Sequence, residues 1–193
     1  MVNQLVFISG TPGVGKTTIA TCLFDKLKSN YEVKLIKINE LAISNNLITG
    51  TDIEKGYKIV DIDKLNNCIE KIVLKFFNDK NNQNKLIIVE GHLSHFLSNP
   101  DKVIILRLDP NILEERLLAR NYSDNKIREN LEAESLAICS NEAFDIHENK
   151  VNEVNASNLT TNELMNIIVD IIENKKEYPP GNIDFMDWLL NNN

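Results

Sequence analysis

GTPGVGKTT, residues 10–18, stands directly after the apolar run 5–9 and directly before a stretch with helical spacing. The pattern G-x-x-x-x-G-K-[ST] in that setting predicts a strand, a glycine-rich turn and a helix, with backbone N–H groups converging on phosphate oxygens. Gly10, Gly13 and Gly15 permit torsions and close approaches that a Cβ would obstruct. Val14 and Thr18 complete the cradle. Lys16 is placed to bridge the β- and γ-phosphates of a nucleoside triphosphate, and the Thr17 hydroxyl to ligate Mg²⁺, while the helix offers its positive end to the anion. A glycine-rich turn without a ligand is the alternative, and the joint register of strand, loop, lysine and threonine weighs against it.

Outward from the loop, apolar runs at 5–9, 33–38, 86–90, 103–108 and 151–156 alternate with helical patterns. That alternation predicts an α/β fold with a doubly wound, parallel, five-stranded sheet. Ile62, Leu65, Ile69, Val73 and Phe76 step by three and four, as one buried helical stripe requires. Asp109 and Pro110 read as an N-cap and first-turn proline of a helix running towards Arg120. Ser123 reads as the cap of a following helix with Ile127, Leu131 and Ile138 inward, and Thr160 with Glu163 as a capping box.

A chain of 193 residues, 42% of them hydrophobic, is long enough for one domain with a proper core, taken here as 1–193. Its net charge of −7 argues against gripping nucleic acid through a general basic field, which leaves a local basic patch open, and no direct sequence-specific nucleic-acid contact is expected. Cys22, Cys68 and Cys139 lack the spacing of a zinc or redox motif and read as buried thiols of a reducing compartment. No leader pattern and no run of membrane-spanning length is evident, so a cytoplasmic location and no membrane partner are expected. The tail 177–193 carries Ile183, Phe185, Met186, Trp188 and Leu189; docking on the chain's own core is the favoured reading and a partner-binding element the other.

The run LIIVEGH, residues 86–92, stops abruptly at a carboxylate and an imidazole. Parallel sheets present ligands at the carboxyl ends of their strands, which places Glu90 beside the loop, where it would hold Mg²⁺ opposite Thr17. His92 would position an attacking water or an acceptor phosphate; a structural, loop-capping imidazole is the other reading. Glu90, His92 and His95 match no known metal-ligand spacing, and His95 reads as a surface or packed histidine. The four arginines, Arg107, Arg116, Arg120 and Arg128, fall in one window whereas lysines are scattered, which favours phosphate-facing roles for Arg116 and Arg120, four apart on one helical face. An exposed solubilising charge is the favoured reading for Arg107 and Arg128.

GTPGVGKTT, INELA at 38–42, VEGH at 89–92 and ILRLDPNILEERLLARNY at 105–122 together resemble the small adenylate-kinase-related family of archaea and eukaryotic nuclei. The resemblance spans about 5–134 and fades beyond. It implies a P-loop fold like that of nucleoside monophosphate kinases, adenylate kinase and ATPase activity on ATP with AMP as acceptor, and a role in late maturation of the small ribosomal subunit through transient binding of a platform ribosomal protein. It assigns 37–60 to monophosphate binding, 119–129 to a lid opened by the nucleotide-binding Arg120, and His92 to the family's D-x-H position, with Glu90 where aspartate is commoner. Lys16, Glu90, His92, Arg116 and Arg120 are then the expected catalytic set. Segment 37–60 departs from the family in having no arginine, with Ile43 where some relatives have one. Lys37, Lys55 and Lys58 supply charge there without a guanidinium fork; Tyr57 is open to base packing or a bland role, and Asp61 and Asp63 to ribose contact or to starting the next helix. The departure raises the standing of a second reading, an assembly ATPase acting on a ribosomal protein; a kinase of another small metabolite is a third.

Overall fold

A computed structural model of the chain describes residues 2–51, 57–79 and 83–192. Five strands, β1 (Asn3–Ser9), β2 (Glu32–Lys37), β5 (Lys85–Glu90), β6 (Lys102–Arg107) and β7 (Val151–Asn155), form one sheet in the order β2-β5-β1-β6-β7. Every pairing in it is parallel, as the alternation of runs predicts. Because both faces are covered, the central strands are apolar throughout rather than alternating. Val6, Ile8, Leu86, Ile88, Ile104 and Leu106 face one layer, built with helices α1 (Lys16–Leu27) and α7 (Thr161–Ile172). Leu5, Phe7, Ile87, Val89, Val103 and Ile105 face the other, against α2 (Ile38–Ser44), α3 (Ile62–Asn78) and α6 (Ile138–His147). Each large aliphatic side chain so buried contributes about 1.5–3 kcal/mol.

Local chemistry sets the helix starts. Asp61 accepts from the Lys64 amide and so begins α3, which settles that residue as a cap. Asp109 accepts from the Asn111 amide ahead of Pro110 in α4 (Pro110–Leu118), and Thr160 with Glu163 closes a full capping box on α7. Ser123 occupies the N-cap position of α5 (Asp124–Ser135) without a side-chain capping bond. The described residues also form a small antiparallel hairpin, β3 (Ile48–Thr51) with β4 (Lys58–Val60), and a terminal helix, α8 (Met186–Asn191).

Several expectations need correction. The hairpin was not foreseen, since its strands are short and carry no apolar run. Helix α4 stops at Leu118, so Arg120 lies in the turn beyond it and does not share a helical face with Arg116. Ile138 belongs to α6 and is exposed, because the chain breaks at Ala137, whose φ of 54° is left-handed. The cysteines are only partly buried; Cys68 and Cys139 pack at the margin of the second layer. Arg107 is buried, 1% exposed, instead of solubilising. The tail docks: Tyr178 and Trp188 pack on the first apolar layer, and Trp188 Nε1 donates to Asn111 Oδ1 at 3.0 Å. Lys55 lies outside the described residues. Among those described, no helix is long and apolar enough to cross a membrane.

Candidate active site

The site lies at the carboxyl ends of β1 and β5, where the sheet order diverges on either side of β1. Residues 10–15 turn tightly between β1 and α1. Gly10 has φ +132°, and a Cβ there would stand 2.4 Å from the Leu106 carbonyl oxygen. At Gly13, φ +101°, a Cβ would press to 2.7 Å on the Leu113 side chain. The loop is thus packed down on β6 and α4, and only glycine allows that approach.

Lys16 folds back over the loop and donates from Nζ to the carbonyls of Gly10 (2.7 Å) and Thr11 (2.9 Å). Burial lowers its pKa to about 8, opposed by Cys139, Glu90 and Glu134. A cation so poorly hydrated gains strongly from an arriving anion. One residue on, Thr17 Oγ1 lies 3.1 Å from both carboxylate oxygens of Glu90. Glu90 is buried, which raises its pKa against the opposing effects of Thr17, Lys16 and Lys37.

One pocket gathers Gly13, Gly15, Lys16, Thr17, Thr18, Glu90, His92 and Arg120, and with them Asn39, Tyr57, Tyr122 and Lys126. Arg116 stands outside it, behind the loop, with Nη1 3.2 Å from the Val14 carbonyl. Val14, Arg116 and Arg120 line a neighbouring cleft that continues to Ala156, Leu159 and Leu164. The His92 ring is open to solvent, yet partial desolvation in the cleft, with Lys16 and His95 adding, lowers its pKa and keeps it neutral at pH 7.

Beneath His92, Ser9 Oγ lies 3.1 Å from the His92 carbonyl and 2.6 Å from His95 Nδ1. His95 is packed rather than superficial, at 1% exposure, and its Nε2 is 3.1 Å from Glu142. Among the described residues no group of three or more histidines, cysteines or carboxylates is arranged to hold a metal ion.

Asn39 stands within INELA, Tyr122 at the end of the run 105–122 and Lys126 within 119–129, but sequence reasoning gave none of the three a role at the site. Lys126 Nζ sits 4.2 Å from the Tyr57 ring centroid and 5.0 Å from that of Tyr122, within cation–π range. Tyr57 donates its hydroxyl to Glu129 at 2.9 Å, and burial together with that bond pushes it up to about 12. These contacts join the hairpin to α5 across the pocket mouth. A third cleft, lined by Ala42, Ile43, Ile48 and Val60, shares Asn39, Tyr57 and His92 with the first.

Comparison with known proteins gives a family and a shared fold. A family model described as an AAA domain matches residues 6–137. A protein of Methanothermobacter thermautotrophicus named "Putative adenylate kinase" is 38% identical over 186 residues, covering 96% of this chain and 99% of the relative. A protein of the same name from Pyrococcus furiosus is 36% identical over 182 residues, covering 94% and 91%. A solved thymidylate kinase from Candida albicans shares the fold with a TM-score of 0.53 at 17% identity, over 90% of this chain and 92% of its own. With identity of this order running through nearly the whole of both chains, the protein belongs to the family of archaeal proteins that carry the name "Putative adenylate kinase".

Proposed function

We propose that the protein transfers the γ-phosphoryl group of ATP to a nucleoside monophosphate, AMP by preference, and to water when no acceptor is bound. The observation that carries this reading is the pair of adjoining clefts. A phosphate loop alone serves many reactions, but here it opens past His92 into an apolar groove of Ala42, Ile43, Ile48 and Val60, edged by Asn39 and Tyr57. An apolar groove beside a phosphate loop suits a base, and the names of the relatives point to adenine.

The loop amides hold the donor phosphates, and Lys16 exchanges the Gly10 and Thr11 carbonyls for phosphate oxygens. Thr17 and Glu90 suit Mg²⁺: a hydroxyl and a carboxylate already in contact are hard oxygen donors, and Mg²⁺ takes one or two such ligands with phosphate and water completing its shell. Bound there, Mg²⁺ would neutralise charge on the β- and γ-oxygens. An oxygen of the acceptor forms the new bond to the γ-phosphorus as its bond to the bridging oxygen breaks, and ADP leaves with the electron pair. His92, neutral and at the junction of the clefts, orients the acceptor, and Arg120 meets the charge on the transferring group. Arg116 braces the loop through the Val14 carbonyl. Residues 37–60 form the monophosphate side and 119–129 the lid, with Lys126 supplying the cation that 37–60 lacks as an arginine.

Incubation with Mg²⁺ and ATP, with and without each monophosphate, tests this when ADP and inorganic phosphate are followed separately. ADP in excess of phosphate only when AMP is present is the expected result. Equal ADP and phosphate regardless of AMP would make the protein an ATPase alone. The further role in late maturation of the small ribosomal subunit, through a platform ribosomal protein, is supported by the resemblance of the sequence motifs. A pull-down with purified small-subunit ribosomal proteins that recovers none would remove it.

A further inference from the structure

A buried chain of charges runs from the phosphate loop to the C-terminal segment. Thr11, in the loop, donates its hydroxyl to Glu134 Oε2. Glu134 Oε1 accepts from Arg107 Nε at 2.8 Å and from the Leu108 amide at 3.0 Å. Arg107 also donates to Glu153 and, at 2.7 Å, to the Glu134 carbonyl. Glu153 accepts from Ser140 Oγ at 2.6 Å and from the Gly181 amide at 3.0 Å, while the Phe185 ring covers the Arg107 guanidinium at 5.2 Å. Glu153 and Tyr178 are further joined through the backbone, the Glu153 amide donating to the Tyr178 carbonyl at 2.7 Å.

Arg107, Glu134 and Glu153 are at most 4% exposed. Stability alone does not account for them, since apolar side chains of similar volume replace buried ion triads at little or no loss. Their placement does suggest a use. Glu134 lies on the last turn of α5, and the same helix carries Lys126 and Glu129 at the pocket mouth. One rigid element therefore has one end in the lid and the other pinned to the phosphate loop through Thr11.

We propose that Glu134 is a positioning residue for the phosphate loop, and that the segment 178–185 completes its anchor, so that nucleotide binding at the loop is felt in the C-terminal segment. The inference rests on residues 10–18 holding a nucleotide. The one tryptophan of the chain, Trp188, follows that segment on α8 and serves as its reporter.

The test uses the full chain. Mg²⁺ and ADP are titrated into wild type, Thr11→Val and Thr11→Ser, with binding read by calorimetry and the C-terminal segment by Trp188 emission. ATP turnover is measured well below the melting midpoint. Thr11→Val keeps the shape and the Arg107 pairs but removes the hydroxyl; should it not fold, Thr11→Ala replaces it. The expected result is a change in emission on saturation of wild type, and for Thr11→Val loss of at least about half of that change and a fall in kcat between about tenfold and about a hundredfold, both restored in Thr11→Ser. A role confined to stability would move the melting midpoint and leave kcat and the emission change intact. Wild-type kcat and emission change in Thr11→Val, or ADP binding to wild type with no emission change, overturns the inference and leaves the proposed function standing. If wild type binds no ADP, the nucleotide reading falls and this inference falls with it.

Discussion

On the proposed reading, the donor side of the cleft is made by one continuous stretch, residues 10–18, whereas the acceptor side is assembled from Asn39 on α2, Tyr57 beside the hairpin and Lys126 on α5. A local stretch can pre-organise itself. Its torsions, its glycines and the following helix fix the amides before any ligand arrives, and Lys16 waits on the carbonyls of the same loop. An assembled side depends on distant elements meeting, here through the Tyr57–Glu129 hydrogen bond and the Lys126 contacts with two tyrosine rings. The donor side is therefore expected to bind a phosphate chain in nearly its present form, and the acceptor side to open and close.

That contrast breaks most readily at Lys16. Lys16→Ala removes the cation that reaches the transferring phosphate, and turnover with or without AMP is expected to fall by about a thousandfold, as removal of a pre-organised charge does elsewhere. An assay of ADP formation in which Lys16→Ala keeps wild-type rates would place the chemistry away from the loop. His92 stands where the two sides meet, so His92→Ala should lower kcat between about tenfold and about a hundredfold while ATP binding, read by calorimetry, stays near wild type. Equal loss of binding and turnover would move His92 to the donor side.

The same contrast explains what the sequence made legible. Strand, loop, lysine and threonine are consecutive, so the geometry of the loop is written in one line of residues, and the meeting of Glu90 with Thr17 follows from the parallel pairing of β1 with β5. Arg107 could not be read in this way. Its partners Glu134 and Glu153 are 27 and 46 positions away, and only the parallel register of β6 with β7 and the path of α5 bring them together. A buried arginine and an exposed one look alike in sequence. Lys126 was missed for a related reason: its partners lie on different elements, and a lysine flanked by Asn125 and Ile127 carries no motif.

Lys126 sharpens the acceptor side. If it replaces the absent arginine of 37–60, Lys126→Ala should raise KM for AMP about tenfold, the worth of one charge-assisted hydrogen bond, with KM for ATP changed less than about twofold. A rise confined to ATP would assign this lysine to the donor phosphates. Lys126→Arg is expected to retain AMP affinity, since it keeps the charge and adds a fork.

The last effect, on stability rather than turnover, concerns the floor shared by both sides. His95 lies under Ser9, which ends β1, and under the turn that carries His92. Burial, with His147 and Lys16 adding, lowers its pKa to about 4 from the ordinary 6.5. In the fold the ring is neutral at pH 5, in contact with Ser9 Oγ through Nδ1 and with Glu142 through Nε2. In the unfolded chain at pH 5 the ring is mostly protonated. The unfolded state thus binds more protons, and stability falls as pH drops from about 6.5 towards about 4, with no contribution from His95 to the slope above that window. From pH 7 to pH 5 this single group accounts for about 2 kcal/mol. Glutamine offers one donor and one acceptor but takes up no proton in this range, so His95→Gln should lose about 2 kcal/mol less than wild type between those pH values, read by urea denaturation at each. An identical pH dependence in the two proteins would mean that the folded ring is already charged, and that its contact with Glu142 outweighs burial.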